Sequence, residues 1–322
     1  MNNRIGKGGY GNVYLENGVV KKVFKEGIDY NSIITEIVAS TFFHDNKYVL
    51  KIKNFDIKEK WHTTDYYIGT FKTFMRNTMN DTLEEKITHM KSLIYAISTL
   101  HNKGIIHGDL KPSNVLYNGE YFVIGDLGFT CPPKYSKCAR TAKTFREPII
   151  NYDYSHDIYS LGIIMLMYFT DIKLNKLHSN SEKIHFCSRI ENHKIKNLVI
   201  SCLNENGSHR PNINDIYFIL YDEIINERHK PEKKSHIPKH ILDMTVRYSI
   251  NNSQVFYKLS SVYNSTEYNY YIAYICSCIF GGKMTIKIIS KKLGLTKKYI
   301  RDRISKIITN INSCKILYTN YK

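Results

Sequence analysis

Three glycines near the start of the chain limit what it can fold into more than any other feature. Gly6-Lys7-Gly8-Gly9-Tyr10-Gly11-Asn12-Val13 is a GxGxxGxV pattern. Glycines at that spacing let the backbone fold closely over phosphates and aim its N–H groups at them. A dinucleotide-binding turn built on such glycines needs a strand before it, and only five residues precede Gly6. Strand, glycine loop and second strand fit better, with Val13 as an apolar roof over a nucleotide base. Tyr10–Glu16 and Gly18–Lys25 are the expected strands, joined at Asn17-Gly18, an Asn-Gly hairpin signal.

In the second strand, Val19-Val20-Lys21-Lys22-Val23, one lysine could reach the α- and β-phosphates, and strand alternation chooses which. With Lys21 inward, Val19 shares its face and can touch the base. With Lys22 inward, Lys21 takes the place of a residue that packs under the neighbouring helix. We therefore expect Lys21. Ile33, Ile34, Ile37, Val38 and Phe42 have helical spacing within Asn31–Phe43. Glu36 in that helix is the expected partner of Lys21.

At 322 residues the chain has room for about two domains. Apolar residues are 43% and charged residues 23%, an ordinary globular composition. No apolar run reaches the ~18 residues that a spanning helix needs. The polar start, MNNRIGKGGYG, lacks the apolar core of a signal peptide. The expectation is an intracellular chain, cytoplasmic or nuclear, with no transmembrane segment. Seven cysteines, none in a CxxC pair, argue for buried free thiols over a disulfide framework or structural zinc.

Leu83–Lys103 is an expected long amphipathic helix closed by Gly104, Ile158–Tyr168 a buried one, and Tyr66–Phe74 an aromatic, β-prone run. Ile105-Ile106-His107-Gly108-Asp109-Leu110-Lys111-Pro112-Ser113-Asn114-Val115-Leu116 is followed by Ile124-Gly125-Asp126-Leu127-Gly128. This stretch resembles the eukaryotic-type protein kinases, whose catalytic loop is HRDLKPxN and whose metal motif is DFG. The resemblance runs from about Ile5 to Arg210 and includes Asp157-Ile158-Tyr159-Ser160-Leu161-Gly162 and His209-Arg210-Pro211.

The resemblance implies an α+β, bilobal fold with a small β-rich lobe over about 1–75 and a helical lobe over about 76–228. It implies ATP and Mg²⁺ as cofactors and protein substrates as partners. Asp109 would accept or orient the proton of the substrate hydroxyl, and Lys111 would offset charge on the moving phosphoryl group. Asn114 and Asp126 would supply oxygen ligands to Mg²⁺. Gly6, Gly8, Gly11, Val13, Val19 and Lys21 would bind the nucleotide. Lysine after Asp109-Leu110 resembles the serine/threonine kinases.

Gly108 stands where most relatives have the arginine that receives an activation-loop phosphate, so activity independent of loop phosphorylation is expected. Leu127 replaces the usual phenylalanine, and Ile149 replaces the glutamate that pairs with the arginine equivalent to Arg210. Thr141 or Thr144 would contact Asp109. A catalytically weak scaffold or nucleic-acid adaptor is the alternative.

The net charge of +17 is unevenly spread. Residues 230–322 hold 17 Lys+Arg against 4 Asp+Glu, and the rest of the chain is close to neutral. Such a segment favours nucleic acid or acidic protein as a partner. After a charged linker at 229–238, a helical domain is expected over 239–322, with helices near Pro238–Tyr248, Gln254–Tyr263, Glu267–Phe280, Thr285–Leu293 and Lys297–Ile308. It resembles a cyclin-box or transcription factor IIB repeat, with Tyr271–Cys278 as its central buried helix, and equally a helix-turn-helix. The divergent loop and the composition resemble kinases of large DNA viruses, which would place the chain in a host cell or virion.

Overall fold

The computed structural model describes residues 3–133, 145, 153–172, 179–221, 266–280 and 283–314. Its elements in chain order are β1 (Asn3–Lys7), β2 (Gly11–Glu16), β3 (Val19–Phe24), α1 (Tyr30–Phe42), β4 (Ile52–Asp56), β5 (Trp61–Asp65), β6 (Gly69–Thr70) and α2 (Phe71–Asn77). Then come α3 (Leu83–Asn102), β7 (Val115–Tyr117), β8 (Phe122–Ile124), α4 (Tyr154–Thr170), α5 (Asn180–Phe186), α6 (His193–Cys202) and α7 (Ile213–Tyr221). The last three are α8 (Thr266–Phe280), α9 (Ile286–Leu293) and α10 (Lys297–Cys314). This is the α+β class expected. Thr141, Thr144, Ile149, the linker and the two helices expected between 238 and 263 lie outside the described residues.

The chain divides into two compact units, one of residues 1–46, 50–66 and 229–322, the other of 47–49 and 67–228. The change of unit falls at 66/67, where the sequence suggested 75/76, and the C-terminal helices group with the first sheet.

In the first unit an antiparallel sheet runs in the order β1-β2-β3-β5-β4. Asn17 and Gly18 both take positive φ, 51° and 78°, the turn that the Asn-Gly pair favours between twisted strands. Asp29 caps α1 by accepting from the Asn31 N–H. Ile33, Ile34, Ile37 and Ala39 of α1 are fully buried. Thr285 caps α9, and Gly294, at φ 67°, ends it. The last helix continues to Cys314, past the expected Ile308.

In the second unit β6, β7 and β8 form a small sheet. The run Tyr66–Phe74, read from sequence as β-prone, yields only the two-residue β6 before turning helical. The side chain of Thr70 caps Thr73 and that of Thr73 caps Thr70 in return, a reciprocal cap that starts α2 inside an aromatic stretch. Thr82 and Glu85 make the same device for α3, and Gly104 at φ 76° lets the chain leave it. α4 is buried from His156 to Tyr168. Among the described residues no helix is long and apolar enough to cross a membrane. Cys187, Cys202, Cys276 and Cys278 are free thiols as expected.

Candidate active site

The first unit places a carboxylate, an ammonium and an imidazole together. Glu36 Oε1 and Oε2 lie 2.7 and 2.8 Å from the Nζ of Lys22, and Oε1 lies 3.2 Å from His62 Nε2. Glu36 and His62 are both buried. Burial alone would raise the Glu36 carboxyl pKa. The Lys22 ammonium and the His62 hydrogen bond outweigh it and hold the group at about 2.

The lysine on Glu36 is thus Lys22, and the expectation of Lys21 is corrected. Val20, Lys22 and Phe24 share one face of β3, and Val19, Lys21 and Val23 share the other. The first face is the one that meets Glu36, since Phe24 and His62 are buried there with their rings in edge contact. Lys21 lies over the Trp61 ring, its ammonium 4.6 Å from the centroid, which gives a long cation an apolar bed without burying its charge. Val19 shares the Lys21 face, so Val20 and not Val19 stands on the face of Lys22. The buried Phe24 was the signal available in the sequence, because counting back by two from it selects Lys22.

Register extends this cluster across the sheet. Val13 of β2 pairs with Lys22, and Lys22 pairs with His62 of β5. Gly6 pairs with Val13. Gly8 closes the glycine turn through its N–H to the Gly11 carbonyl at 2.9 Å, and the Lys25 ammonium donates to the Gly8 carbonyl at 2.6 Å. Gly11 admits no side chain, since a Cβ there would sit 2.7 Å from the Val23 carbonyl oxygen. Sequence reasoning missed both Lys25 and His62.

In the second unit, Asp109 is 1% exposed. Its Oδ2 accepts from Lys111 Nζ at 2.5 Å and from Asn114 Nδ2 at 3.1 Å, and the same Nδ2 donates to the Asp109 carbonyl at 2.8 Å. Its Oδ1 is buried and has no hydrogen-bond partner among the described residues. Burial raises the Asp109 pKa, the Lys111 ammonium partly opposes it, and Asp126 adds to the rise.

Backbone geometry comes from two buried hubs. Asp157 accepts from the N–H of His107 at 2.7 Å and of Gly108 at 3.0 Å, with His101 Nε2 at 3.0 Å. Burial would raise the Asp157 carboxyl, and the His101 hydrogen bond leads the contacts that hold it instead at about 2. His107 accepts from the Asp109 N–H through Nδ1 and donates through Nε2 to the Gly125 carbonyl at 3.0 Å. The Gly125 N–H in turn donates to the Asn114 carbonyl at 2.8 Å. These bonds tie the loop of Asp109 and Asn114 to the residue before Asp126, which takes a left-handed conformation at φ 57°, ψ 55°. Arg210 donates to the carbonyls of Asn204, Ser155 and Glu205.

The donors fit a hard divalent ion with phosphate oxygens in its shell. Asn114 spends its amide nitrogen on Asp109, leaving its amide oxygen as a ligand atom, and Asp126 brings a carboxylate. The Oδ1 of Asp109, unpartnered among the described residues, fits a group that accepts a proton or hydrogen bond from outside the protein.

The family model described as protein kinase domain matches residues 1–221. Curated relatives agree at low identity. The mouse interferon-induced, double-stranded RNA-activated protein kinase is 28% identical over 163 residues, 46% of this chain and 32% of its own length. Aurora kinase A-B of Xenopus laevis is 24% identical over 261 residues, 71% of this chain and 62% of its own. The liver/testis gamma catalytic chain of Bos taurus phosphorylase b kinase is 38% identical over 82 residues, 23% of this chain and 20% of its own. The matches span less than two thirds of each relative.

Proposed function

The chain belongs to the protein kinase family, and on that premise we propose that it transfers the γ-phosphate of ATP to serine or threonine hydroxyls of proteins. The observation that carries the reading is Asp109, buried, with one oxygen held by Lys111 and Asn114 and the other without a hydrogen-bond partner among the described residues. Such a carboxylate is oriented and desolvated yet keeps one lone-pair site to receive a hydroxyl proton. The raised pKa makes it a better proton acceptor than an ordinary aspartate.

The bond made is between the substrate oxygen and the γ-phosphorus, the bond broken joins that phosphorus to the β–γ bridging oxygen, and ADP leaves. The hydroxyl proton goes to Asp109 Oδ1 and from there to solvent. Lys111 offsets charge on the transferring group. Lys22, held by Glu36, offsets charge on the α- and β-phosphates, and Gly6, Gly8, Gly11, Val13 and Val20 cover the nucleotide. Asn114 and Asp126 would hold magnesium, which when bound would neutralise developing phosphate charge.

Lysine at 111 supports serine/threonine over tyrosine. Glycine at 108 supports activity without a loop phosphate, because Asp157 anchors that backbone directly. The C-terminal helices form an accessory segment for regulation or targeting.

Transfer of radiolabelled γ-phosphate by the full chain to general serine/threonine substrates tests the reading. Asp109→Ala should lower the rate by ~10²–10⁴. Full turnover in that variant would sink the assignment.

A further inference from the structure

α1 carries Glu36 and is covered on every side. Ile33 through Thr41 are all buried, and consecutive helical residues step by about 100° around the axis, so this run sweeps the full circumference. The five-stranded sheet can cover one side only. On another side lies α8, itself buried at every residue from Tyr271 to Ser277.

The α1–α8 contact is built from specific polar bonds between distant parts of the chain. Thr35 Oγ1 donates to the Cys278 carbonyl at 3.1 Å. The Tyr274 hydroxyl donates to Asn31 Oδ1. Burial pushes the Tyr274 pKa far up, so the hydroxyl stays protonated and remains a donor. At the start of α1 the Arg301 guanidinium of α10 lies over the Tyr30 ring, 5.3 Å from its centroid. Asn31 and Thr35 are four apart and share a helix face. Glu36 follows Thr35 by one step of about 100°. Rotation of α1 that broke the Thr35 and Asn31 bonds would therefore swing Glu36 off Lys22.

We infer that α8 and α10 dock on α1 as a brace carried in the same chain, fixing its rotation and thereby the Lys22–Glu36 pair. Tyr274 and Thr35 act through Glu36 and are positioning residues. The catalytic consequence rests on the kinase reading, whereas the brace itself does not.

Full-length Tyr274→Phe, Thr35→Val and the pair of them test it, since each removes a hydroxyl and little volume. Amide exchange is read over Ile33–Thr41 by mass spectrometry. Losing both bonds should speed exchange there roughly tenfold or more, from about 0.5–1.5 kcal/mol per bond. In phosphate transfer, kcat/KM for ATP should fall several-fold in the paired variant, and that fall should vanish in a Glu36→Gln background. Unaltered exchange in α1 overturns the brace. An equal loss of kcat/KM with and without Glu36 overturns its action through the ion pair. If the wild-type chain transfers no phosphate, the kinase reading fails, and exchange in α1 still decides the brace.

Discussion

Two adjacent lysines of β3 are assigned opposite surroundings, and the difference is open to direct measurement. Lys22→Met should lose the ammonium that Glu36 orients and slow phosphate transfer by ~10²-fold or more, in line with loss of a preorganised charge. Lys21→Met should stay within a few-fold of wild type, because its ammonium lies over Trp61. Comparable losses in the two variants would reverse the assignment. Asp109 gives a second contrast. Its pKa is raised in the fold, so the native state binds more protons than the unfolded chain, and stability falls as pH rises through the folded pKa. Asp109→Asn keeps an acceptor for Lys111 and Asn114 but removes the buried charge. At pH 7 its thermal midpoint should equal or exceed that of wild type while turnover collapses, and the midpoint advantage should shrink toward acid pH. A clear loss of midpoint at pH 7 would contradict this. Asp109, Lys111, Asn114 and Asp126 were legible because they stand in one short stretch with fixed spacing. Lys22 and His62 were not, because the choice between lysines depends on which sheet face a distant helix covers, and His62 is brought opposite Lys22 only by strand pairing.

At the level of elements, local signals worked where side chains act on their own backbone. The Asn17-Gly18 turn, the α3 start at Leu83 and its close at Gly104 were all readable. The helix α2 was missed because Phe71 and Phe74 look β-prone, while the Thr70–Thr73 cap that decides the matter is carried by two inconspicuous hydroxyls. The β2–β3 hairpin carries its own prediction. An added methyl at Gly11 would press on the Val23 carbonyl, a backbone atom with little room to give. Gly11→Ala should destabilise the chain by about 1–3 kcal/mol as overpacking does, seen as a lowered thermal midpoint, with KM for ATP rising as the loop is displaced. Gly9→Ala is the control, since a Cβ there meets nothing within 4 Å. Equal midpoints for the two variants would show that the strand yields without strain.

Across the whole molecule, the grouping of C-terminal helices with the first sheet had no local signature. Its bonds join residues 243 positions apart, and neither composition nor periodicity encodes such a pairing. The basic balance of the C-terminal segment pointed outward to anionic partners, while the α8 face that meets α1 is apolar and hydroxylic. The same scale holds the question of activation. Kinases with arginine before the catalytic aspartate couple that loop to an added phosphate. Here Gly108 takes φ 76°, a conformation that costs a side-chain-bearing residue energy, and its N–H is fixed by Asp157. Arginine at this position would meet a backbone already set for glycine. On the proposed reading, α8 and α10 hold α1 while Asp157 and His107 hold the Asp109 loop, so neither cluster should need a modification for its geometry. Phosphatase-treated chain, freed of phosphate by intact-mass criteria, should transfer phosphate to substrate at the initial rate of untreated chain. A tenfold or greater drop that recovers on rephosphorylation would show that a loop phosphate is needed after all, and that the bonds from Asp157 to His107 and Gly108 do not suffice to hold the loop.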